Sequence, residues 1–346
     1  MSADVEPDTL AVALPAVLRP GAGRGAAARL RPGTLAPGRR RYLAPVGTVA
    51  VVLAYAVTTA ASGFTIDRLA ITGWFLALVV ATSLGRPLRT MATRAGAWIA
   101  VYVTFFLYDL VRGGSDALGT PVDYTRPLAA DRWLTGVVPT LWLQQHVYAG
   151  DVHRWFTPLL SLVYISHFLV AYAVMLWLQV RRPGRFWPFV AAFVLTTYVA
   201  TVAFLLDPSA PPWMVAQDGG MPAVQRTATI GLADLHLWFA AHLVDLGRAT
   251  LNQVAAFPSL HAAYPALLLV FFWSTSRWWT RLGLAAYAVT MAFMLILTGE
   301  HWLIDIVGGW VVAGGSVLVV TRVRWVVPRR VRRGTVTGGS LVGGGL

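Results

Sequence analysis

The sequence predicts an all-α fold, a polytopic membrane bundle of about eight transmembrane helices. Three observations support this prediction. Hydrophobic residues make up 57% of the 346 residues and charged residues only 12%, whereas charged residues make up about a quarter of an ordinary soluble domain. The apolar residues form long segments, and the basic residues lie between them. This placement indicates a membrane, and not a nucleic acid, as the partner of a chain with a formal charge of +13.

A helix needs about 20 mostly apolar residues to cross the hydrocarbon layer of a bilayer. Eight segments approach or exceed that length, near residues 42–61, 69–84, 98–111, 156–180, 186–206, 260–274, 281–298 and 302–321. The second and the sixth are short for a full crossing. We therefore expect each of these two to be tilted, re-entrant or extended into its flank.

The arginines predict the orientation of the chain. All 28 basic residues are Arg and none is Lys, a bias that reflects GC-rich coding and points to a bacterial source. With eight spans both termini lie on one side, and 21 of the 28 arginines fall on that side. Because loops rich in basic residues stay cytoplasmic, we expect an inner-membrane protein with both termini inside. The long loops 112–155 and 207–258 then lie on the outer face.

The two ends and the second long loop have patterns of their own. Residues 1–41, rich in Arg, Pro and Ala, and residues 322–346, basic and Gly-rich, predict disordered cytoplasmic tails. The second long loop predicts an amphipathic helix along the membrane, which either packs against the bundle or gates lipid entry. Its apolar positions at helical spacing are Leu232, Leu235, Phe239, Leu243 and Leu246.

The chain contains no Cys and no Lys. A disulfide, a thiolate metal site, a cysteine nucleophile and a Schiff-base lysine are therefore excluded. No carboxylate cluster or close histidine pair has the spacing of metal ligands, so we expect a metal-independent site without a cofactor.

Three polar residues stand out: His261 in AAFPSLHAAYP, and His301 with Asp305 in TGEHWLIDIVGG. About two spans separate the histidines, so the chain crosses the membrane and returns, which brings both to the same face. His301 and Asp305 are four apart, which on a helix places them one turn apart on one side. An ionised group in a span costs ~2.5–3.5 kcal/mol on insertion scales unless it is paired. A carboxylate at Asp305 can accept a hydrogen bond from one ring nitrogen of His301 and leave the other nitrogen nucleophilic.

Pro258 and Ser259 precede the sixth segment and indicate the start of a helix. Ser259 is of a residue type that caps helices. The backbone N–H groups at such a start point toward an anion. We therefore expect this turn to bind a negatively charged group near His261.

These residues resemble the motifs of the type 2 phosphatidic acid phosphatase (lipid phosphate phosphatase) superfamily. The resemblance is strongest to the branch that includes fungal inositol phosphorylceramide synthase. The superfamily has a helical-bundle core and three motifs, which end in Arg-Pro, in Pro-Ser-x-His and in His-x-x-x-Asp. The second motif stands here at residues 258–261 and the end of the third at residues 301–305.

The resemblance covers roughly residues 123–321 and implies a division of the chain. A catalytic domain with a six-helix core would occupy residues 98–321, and the two helices in residues 42–97 would be additions to it. The resemblance also implies the roles of three residues. His301 would be the nucleophile that forms a phosphohistidine, Asp305 its orienting partner, and His261 the acid that protonates the leaving oxygen.

The chain departs from the phosphatase motifs at two places. Met294 and Leu295 occupy the Ser-Arg positions of the third motif, and Gly119 occupies the Lys position ahead of Arg126. Two usual phosphate ligands are thus missing, which favours the divergent phosphotransferase branch. Because a bound phosphate needs cations, other outer arginines should substitute. The expected phosphate-binding residues are Ser259, Arg126, Arg132 and Arg226.

The sequence therefore predicts an integral-membrane enzyme that transfers or hydrolyses a lipid-linked phosphoryl group at the outer face, similar to an inositolphosphotransferase. Its partners would be a membrane lipid phosphate and an acceptor, either water or a polyol or sugar. The alternatives are a simple polyprenyl or phosphatidate phosphatase and, in another class, a proton-coupled transporter. His167, in the fourth span, either joins the site or hydrogen-bonds across helices. The sequence does not indicate the oligomeric state.

Overall fold

The computed structural model describes residues 37–62, 68–113, 119–238, 241 and 253–322. Within these residues the fold is all α, as predicted. The described residues contain no β-strand, and their β-type backbone contacts are isolated bridges that join Asp123 to Ser209 and Ser209 to Ala255.

Twelve α-helices lie in the described part of the chain. They are α1 (Pro37–Ser62), α2 (Arg68–Ser83), α3 (Leu88–Gly113), α4 (Arg126–Thr135), α5 (Pro139–Leu143), α6 (Thr157–Arg181), α7 (Pro183–Leu206), α8 (Pro212–Gln217), α9 (Ile230–Asp234), α10 (Leu260–Trp273), α11 (Trp278–Leu297) and α12 (Leu303–Arg322). A π-helical turn, Gln144–Tyr148, follows α5.

Eight of these helices coincide with the eight apolar segments. Six are long and apolar enough to cross a membrane: α1, α3, α6, α7, α11 and α12. The apolar parts of the other two, Ala70–Ser83 and Leu260–Trp273, are shorter, and these are the segments that the sequence predicted to be short. The chain is an integral membrane protein.

Two helix starts differ from the prediction by five residues or more. α3 begins at Leu88, well before residue 98, because the preceding segment LRTMATRAGA contains good helix formers. α1 begins at Pro37, inside the predicted N-terminal tail, and a proline suits the first position of a helix. The remaining parts of both predicted tails lie outside the described residues.

α10 lies in the middle of the bundle. It packs against α6, α7, α11 and α12, and most of its side chains are buried. Its sequence, LHAAYPALLLVFFW, is apolar on nearly every face, which is the pattern of a fully surrounded helix. α1, by contrast, packs on α2 and exposes Val49, Leu53 and Val57. The polar residues at the start of α10 therefore stand at the most enclosed helix of the bundle.

The two long loops fold together into a cap, defined here as residues 119–156 and 207–238. The cap has a hydrophobic cluster of its own, made of Leu128, Val138, Ala210, Val215, Met221 and Trp302. Trp302 comes from the turn before α12, and its indole N–H donates a hydrogen bond to the carbonyl of Ala210 at 2.8 Å. The cap is therefore attached to the turn that carries His301.

The amphipathic helix predicted from Leu232 to Leu246 does not form as one helix. α9 ends at Asp234, and His236 has a φ of 57°, a left-handed conformation that interrupts a right-handed helix. Phe239, Leu243 and Leu246 lie outside the described residues, so the role expected for them stays a prediction.

Candidate active site

The structure brings His261, His301 and Asp305 together. Nδ1 of His301 lies 3.3 Å from Oδ2 of Asp305, and Nε2 of His301 lies 3.4 Å from Nδ1 of His261. Asp305 is fully buried and His301 nearly so. A carboxylate on one side of the imidazole favours the tautomer with its proton on Nδ1. The lone pair on Nε2 then faces His261.

The turn before α12 sets this geometry. His301 is not helical, contrary to the expectation that it shares a helix with Asp305, because α12 begins only at Leu303. Asp305 sits in the first turn, and its Oδ2 also accepts the backbone N–H of Trp302 at 2.9 Å. An acidic residue that reaches back to the N–H just before its helix is one half of a capping box. The Asp305 carboxylate thus holds the helix start and the imidazole at once.

A second buried carboxylate, that of Asp131, binds the next two backbone N–H groups at the start of α12. Its Oδ2 accepts the N–H of Leu303 at 2.9 Å and its Oδ1 accepts the N–H of Ile304 at 3.0 Å. Asp131 lies on α4 and is fully buried. Burial raises the pKa of Asp131 to about 6, although the hydrogen bonds from Leu303 and Ile304 lower it, and the nearby Asp305 carboxylate raises it further. Sequence reasoning missed this residue, because nothing in the local sequence AADRW relates it to a helix 172 positions away.

Ser259 is the N-cap of α10, as the sequence predicted. Its Oγ accepts the N–H of Ala262 at 3.3 Å, and its own N–H donates to the backbone carbonyl of Asp305 at 2.9 Å. Gly309 on α12 makes this contact possible, since a Cβ there would collide with the Ser259 carbonyl. The starts of α10 and α12 are therefore joined directly, which fixes His261 relative to Asp305.

Two aromatic side chains of α6 hold the ring of His261. Tyr164 stacks on it with a centroid distance of 5.1 Å and an interplanar angle of 11°. The ring of His167 lies 4.1 Å from that of His261 and stacks on Tyr264 at 4.9 Å. His167 therefore lies beside His261, at the site. The three imidazoles of His167, His261 and His301 follow one another in a row.

The three arginines expected to bind phosphate have different surroundings. Arg126 is exposed and forms ion pairs with Asp123 and Asp207. Arg132 is exposed on α4. Arg226 donates from Nε and Nη2 to the two carboxylate oxygens of Glu300, at 3.0 and 3.1 Å. Because Glu300 precedes His301, Arg226 is the one of the three that reaches the turn carrying His301.

Among the described residues, no group of three or more His, Asp or Glu side chains is arranged to hold a metal ion. The chemistry open to the site is that of imidazole and carboxylate. It combines a nucleophilic nitrogen, a second imidazole within reach of the same reacting atom, and backbone N–H groups at the start of α10.

A sequence model of the PAP2 superfamily matches residues 128–319. The chain belongs to the PAP2 superfamily. It is also similar to a protein of Bacteroides thetaiotaomicron named phosphoinositol dihydroceramide synthase, with 25% identity over 276 residues. The match covers 76% of this chain and 87% of the relative. No solved structure matches the chain significantly.

These findings confirm the resemblance seen in the sequence. The protein is a membrane enzyme, a lipid phosphatase or phosphotransferase. The transporter alternative is thereby set aside. The matched region, residues 128–319, contains His261, His301 and Asp305 together with Asp131, Ser259 and Arg226.

Proposed function

We propose that this enzyme transfers a lipid-linked phosphoryl group to an alcohol through a phosphohistidine on His301, at the outer face of the membrane. One observation carries the proposal. The Nδ1 of His301 is engaged by the buried Asp305 carboxylate, and its Nε2 faces His261 at 3.4 Å. One nitrogen is thus oriented as a nucleophile beside a group that can carry a proton.

The proposed reaction has two balanced steps. In the first, the Nε2 lone pair of His301 attacks phosphorus, the bond from phosphorus to the leaving oxygen breaks, and His261 donates a proton to that oxygen. In the second, an acceptor hydroxyl attacks phosphorus and gives its proton to His261 as the phosphorus–nitrogen bond breaks. Asp305 stabilises the positive charge on the His301 ring while the intermediate exists.

The phosphoryl oxygens need donors and positive charge as the transition state forms. The start of α10, a helix of 14 residues with Ser259 as its N-cap, can supply backbone N–H donors. Arg226 is the arginine that best fits the cation role, since its ion pair with Glu300 holds it beside the turn of His301. Arg126, which is paired with Asp123 and Asp207, and Arg132 are the other two candidates, and both are exposed on α4.

Two features favour transfer to an alcohol over hydrolysis. His301 is only 7% exposed, and an enclosed site suppresses the attack of water on a reactive intermediate. The relative's name states that it makes phosphoinositol dihydroceramide, in which phosphate joins a polyol to a lipid alcohol. For this chain we propose a product of the same class, a phosphodiester between a polyol and a lipid alcohol, made from a membrane phospholipid.

Trapping the intermediate tests the covalent step. Purified enzyme is mixed with a phospholipid labelled with ³²P, quenched in alkali, and examined for label that acid removes. We expect acid-labile label on the wild type and none on His301→Ala. The control is His146→Ala, because His146 lies on the cap, where its ring stacks on Trp142 and hydrogen-bonds the Trp142 carbonyl. Equal labelling of the His301 variant would exclude the proposed nucleophile.

The fate of the phosphorus separates transfer from hydrolysis. The labelled phospholipid is incubated with the enzyme with and without a ceramide or a diacylglycerol as acceptor, and the products are resolved. Transfer predicts a new labelled lipid phosphodiester whose formation depends on the acceptor. A polyol phosphate (or, from a phosphatidic acid donor, inorganic phosphate) released at one rate whatever the acceptor, with no new phosphodiester, would leave a hydrolase.

A further inference from the structure

A cavity of about 430 Å³ opens beside the turn that carries His301. It is lined by Trp213, Ala216, Gln217, Ala223, Val224 and Arg226. All of these residues belong to the cap, and none belongs to the His-His-Asp arrangement described above. Its volume is at the lower end of the range of small-molecule sites.

The cavity is fixed to the turn that carries His301. The N–H of Trp213 donates to the carbonyl of Gly299 at 3.2 Å. Arg226 pairs with Glu300 through two hydrogen bonds, and its guanidinium lies over the ring of Trp213 at 4.4 Å from the centroid. The next two residues after Gly299 are Glu300 and His301, so one wall of the cavity and the proposed nucleophile share a turn of the chain.

A glutamine clamp holds the segment that carries Val224 and Arg226. Nε2 of Gln144 donates to the carbonyls of Gln225 and Leu297, at 2.8 and 2.9 Å, and its Oε1 accepts the N–H of Gln225 at 2.9 Å. Gly299 has a φ of +74°, and a Cβ at that position would collide with Val224. The segment that carries Val224 and Arg226 is therefore held against α11 and the turn after it. A wall built this way is pre-organised, which lowers the entropy cost of binding.

The lining groups suit a polyol ring. An aromatic face packs against the C–H bonds of a cyclic polyol, and the guanidinium and amide groups of the lining, with the Glu300 carboxylate that Arg226 holds, can bind neighbouring hydroxyls. Arg226 is paired with Glu300. The pair therefore offers hydrogen-bond donors and acceptors to neighbouring hydroxyls, beside the phosphoryl group that Arg226 would contact.

We propose that this cavity binds the cyclic polyol of the phosphodiester, with Trp213 as the stacking surface and Gln217, Arg226 and Glu300 as hydroxyl ligands. This inference rests on the proposed function and adds the recognition site for one of its two alcohols. The polyol would lie next to the phosphorus atom that His301 attacks, and the lipid part would extend away from the cap toward the bundle.

The test compares a donor that has a polyol headgroup with one that lacks it. Phosphatidylinositol and phosphatidic acid, both labelled with ³²P, are given to the full-length enzyme, and the initial rate of acid-labile labelling of His301 is measured against donor concentration. We expect Trp213→Leu and Gln217→Ala each to raise the half-saturating concentration of phosphatidylinositol about 10-fold, as loss of one good contact would. The half-saturating concentration of phosphatidic acid should change by less than about 2-fold.

Matched controls separate recognition from folding. Trp155 is 88% exposed and Gln145 is exposed on the cap, so Trp155→Leu and Gln145→Ala should leave both donors unaffected. Trp213→Phe keeps an aromatic face and should recover most of the selectivity lost in Trp213→Leu. Equal losses for both donors, or no loss for phosphatidylinositol, would overturn the polyol site while labelling of His301 still stands. Absence of label from every donor would instead overturn the proposed function, and this inference with it.

Discussion

At the scale of single residues, the proposed chemistry depends most on the pairing of His301 with Asp305. The buried carboxylate accepts from both Nδ1 of His301 and the N–H of Trp302. Both bonds go to one oxygen, Oδ2. An amide oxygen in that place carries no charge to stabilise a positive imidazole ring, and an amide NH₂ group turned there would favour the wrong tautomer. Asp305→Asn should therefore lower kcat by about 10⁴, as in triad enzymes, with little change in KM.

The matched control for this prediction is Asp234→Asn. Asp234 also pairs with a histidine, His153 at 2.7 Å, but on the exposed part of the cap. Activity of the control should stay near that of the wild type. The idea fails if Asp305→Asn retains wild-type kcat in protein that is shown to be folded, for example by an unchanged size-exclusion profile in detergent.

The sequence identified the residues of this pairing, missed Asp131, and left open whether His167 joins the site or hydrogen-bonds across helices. A histidine and an aspartate four apart in an apolar segment are visible because charged groups in a span are costly. Asp131 and His167 reach the site only through tertiary packing. Asp131 joins it across 172 positions, and His167 is one polar residue in the middle of a long apolar helix.

At the scale of elements, the start of α12 depends on two carboxylates. The N–H groups of Leu303 and Ile304 donate to Asp131, and the N–H of Trp302 donates to Asp305. A helix start without partners leaves its N–H groups unsatisfied. Because α4 belongs to the cap region and carries Asp131, the cap region is bonded directly to the start of α12. The position of His301 therefore depends on both.

The raised pKa of Asp131 makes the stability of the folded protein depend on pH. Its pKa of about 6 in the folded protein lies above the ordinary aspartate value near 3.9. The folded state therefore holds this proton more tightly, and the contribution of Asp131 to stability falls as the pH rises from about 4 to about 6. Asp131→Asn lacks this titration. The stability of the wild type relative to Asp131→Asn should thus be greater at pH 4 than at pH 7, by ~1–3 kcal/mol.

Thermal unfolding in detergent, followed at several pH values between 4 and 8, measures this difference. Asp151→Asn is the control, since Asp151 accepts a backbone N–H, that of His153, at an exposed turn. The pH dependence of unfolding seen for the wild type relative to Asp131→Asn should not be reproduced by comparing the wild type with Asp151→Asn. If the difference in stability between the wild type and Asp131→Asn is the same at every pH in this range, the raised pKa of Asp131 is contradicted.

At the scale of the whole molecule, the sequence predicted the bundle well and the cap poorly. Long apolar segments are determined by the thickness of the bilayer, so all eight, and the shortness of two, could be predicted from hydropathy. The cap has no such constraint. Its helices are short, from five to ten residues, and are held by contacts between two loops far apart in sequence. The break at His236, which ends the predicted amphipathic helix, is a local backbone conformation that apolar periodicity does not register.

The orientation of the bundle gives the last prediction. The proposed outer location of the site depends on the 21 arginines on one side against seven on the other. The chain has no cysteine, so single cysteines can be introduced without background. Gln145→Cys lies on the cap. Gly184→Cys lies in the first turn of α7, between Arg182 and Arg185, where a Cβ meets no neighbour within 4 Å. In intact cells a membrane-impermeant maleimide should label Gln145→Cys and should label Gly184→Cys only after permeabilisation. The reverse pattern would place the cap, His261 and His301 on the cytoplasmic face, where the enzyme would meet a different pool of lipid phosphates.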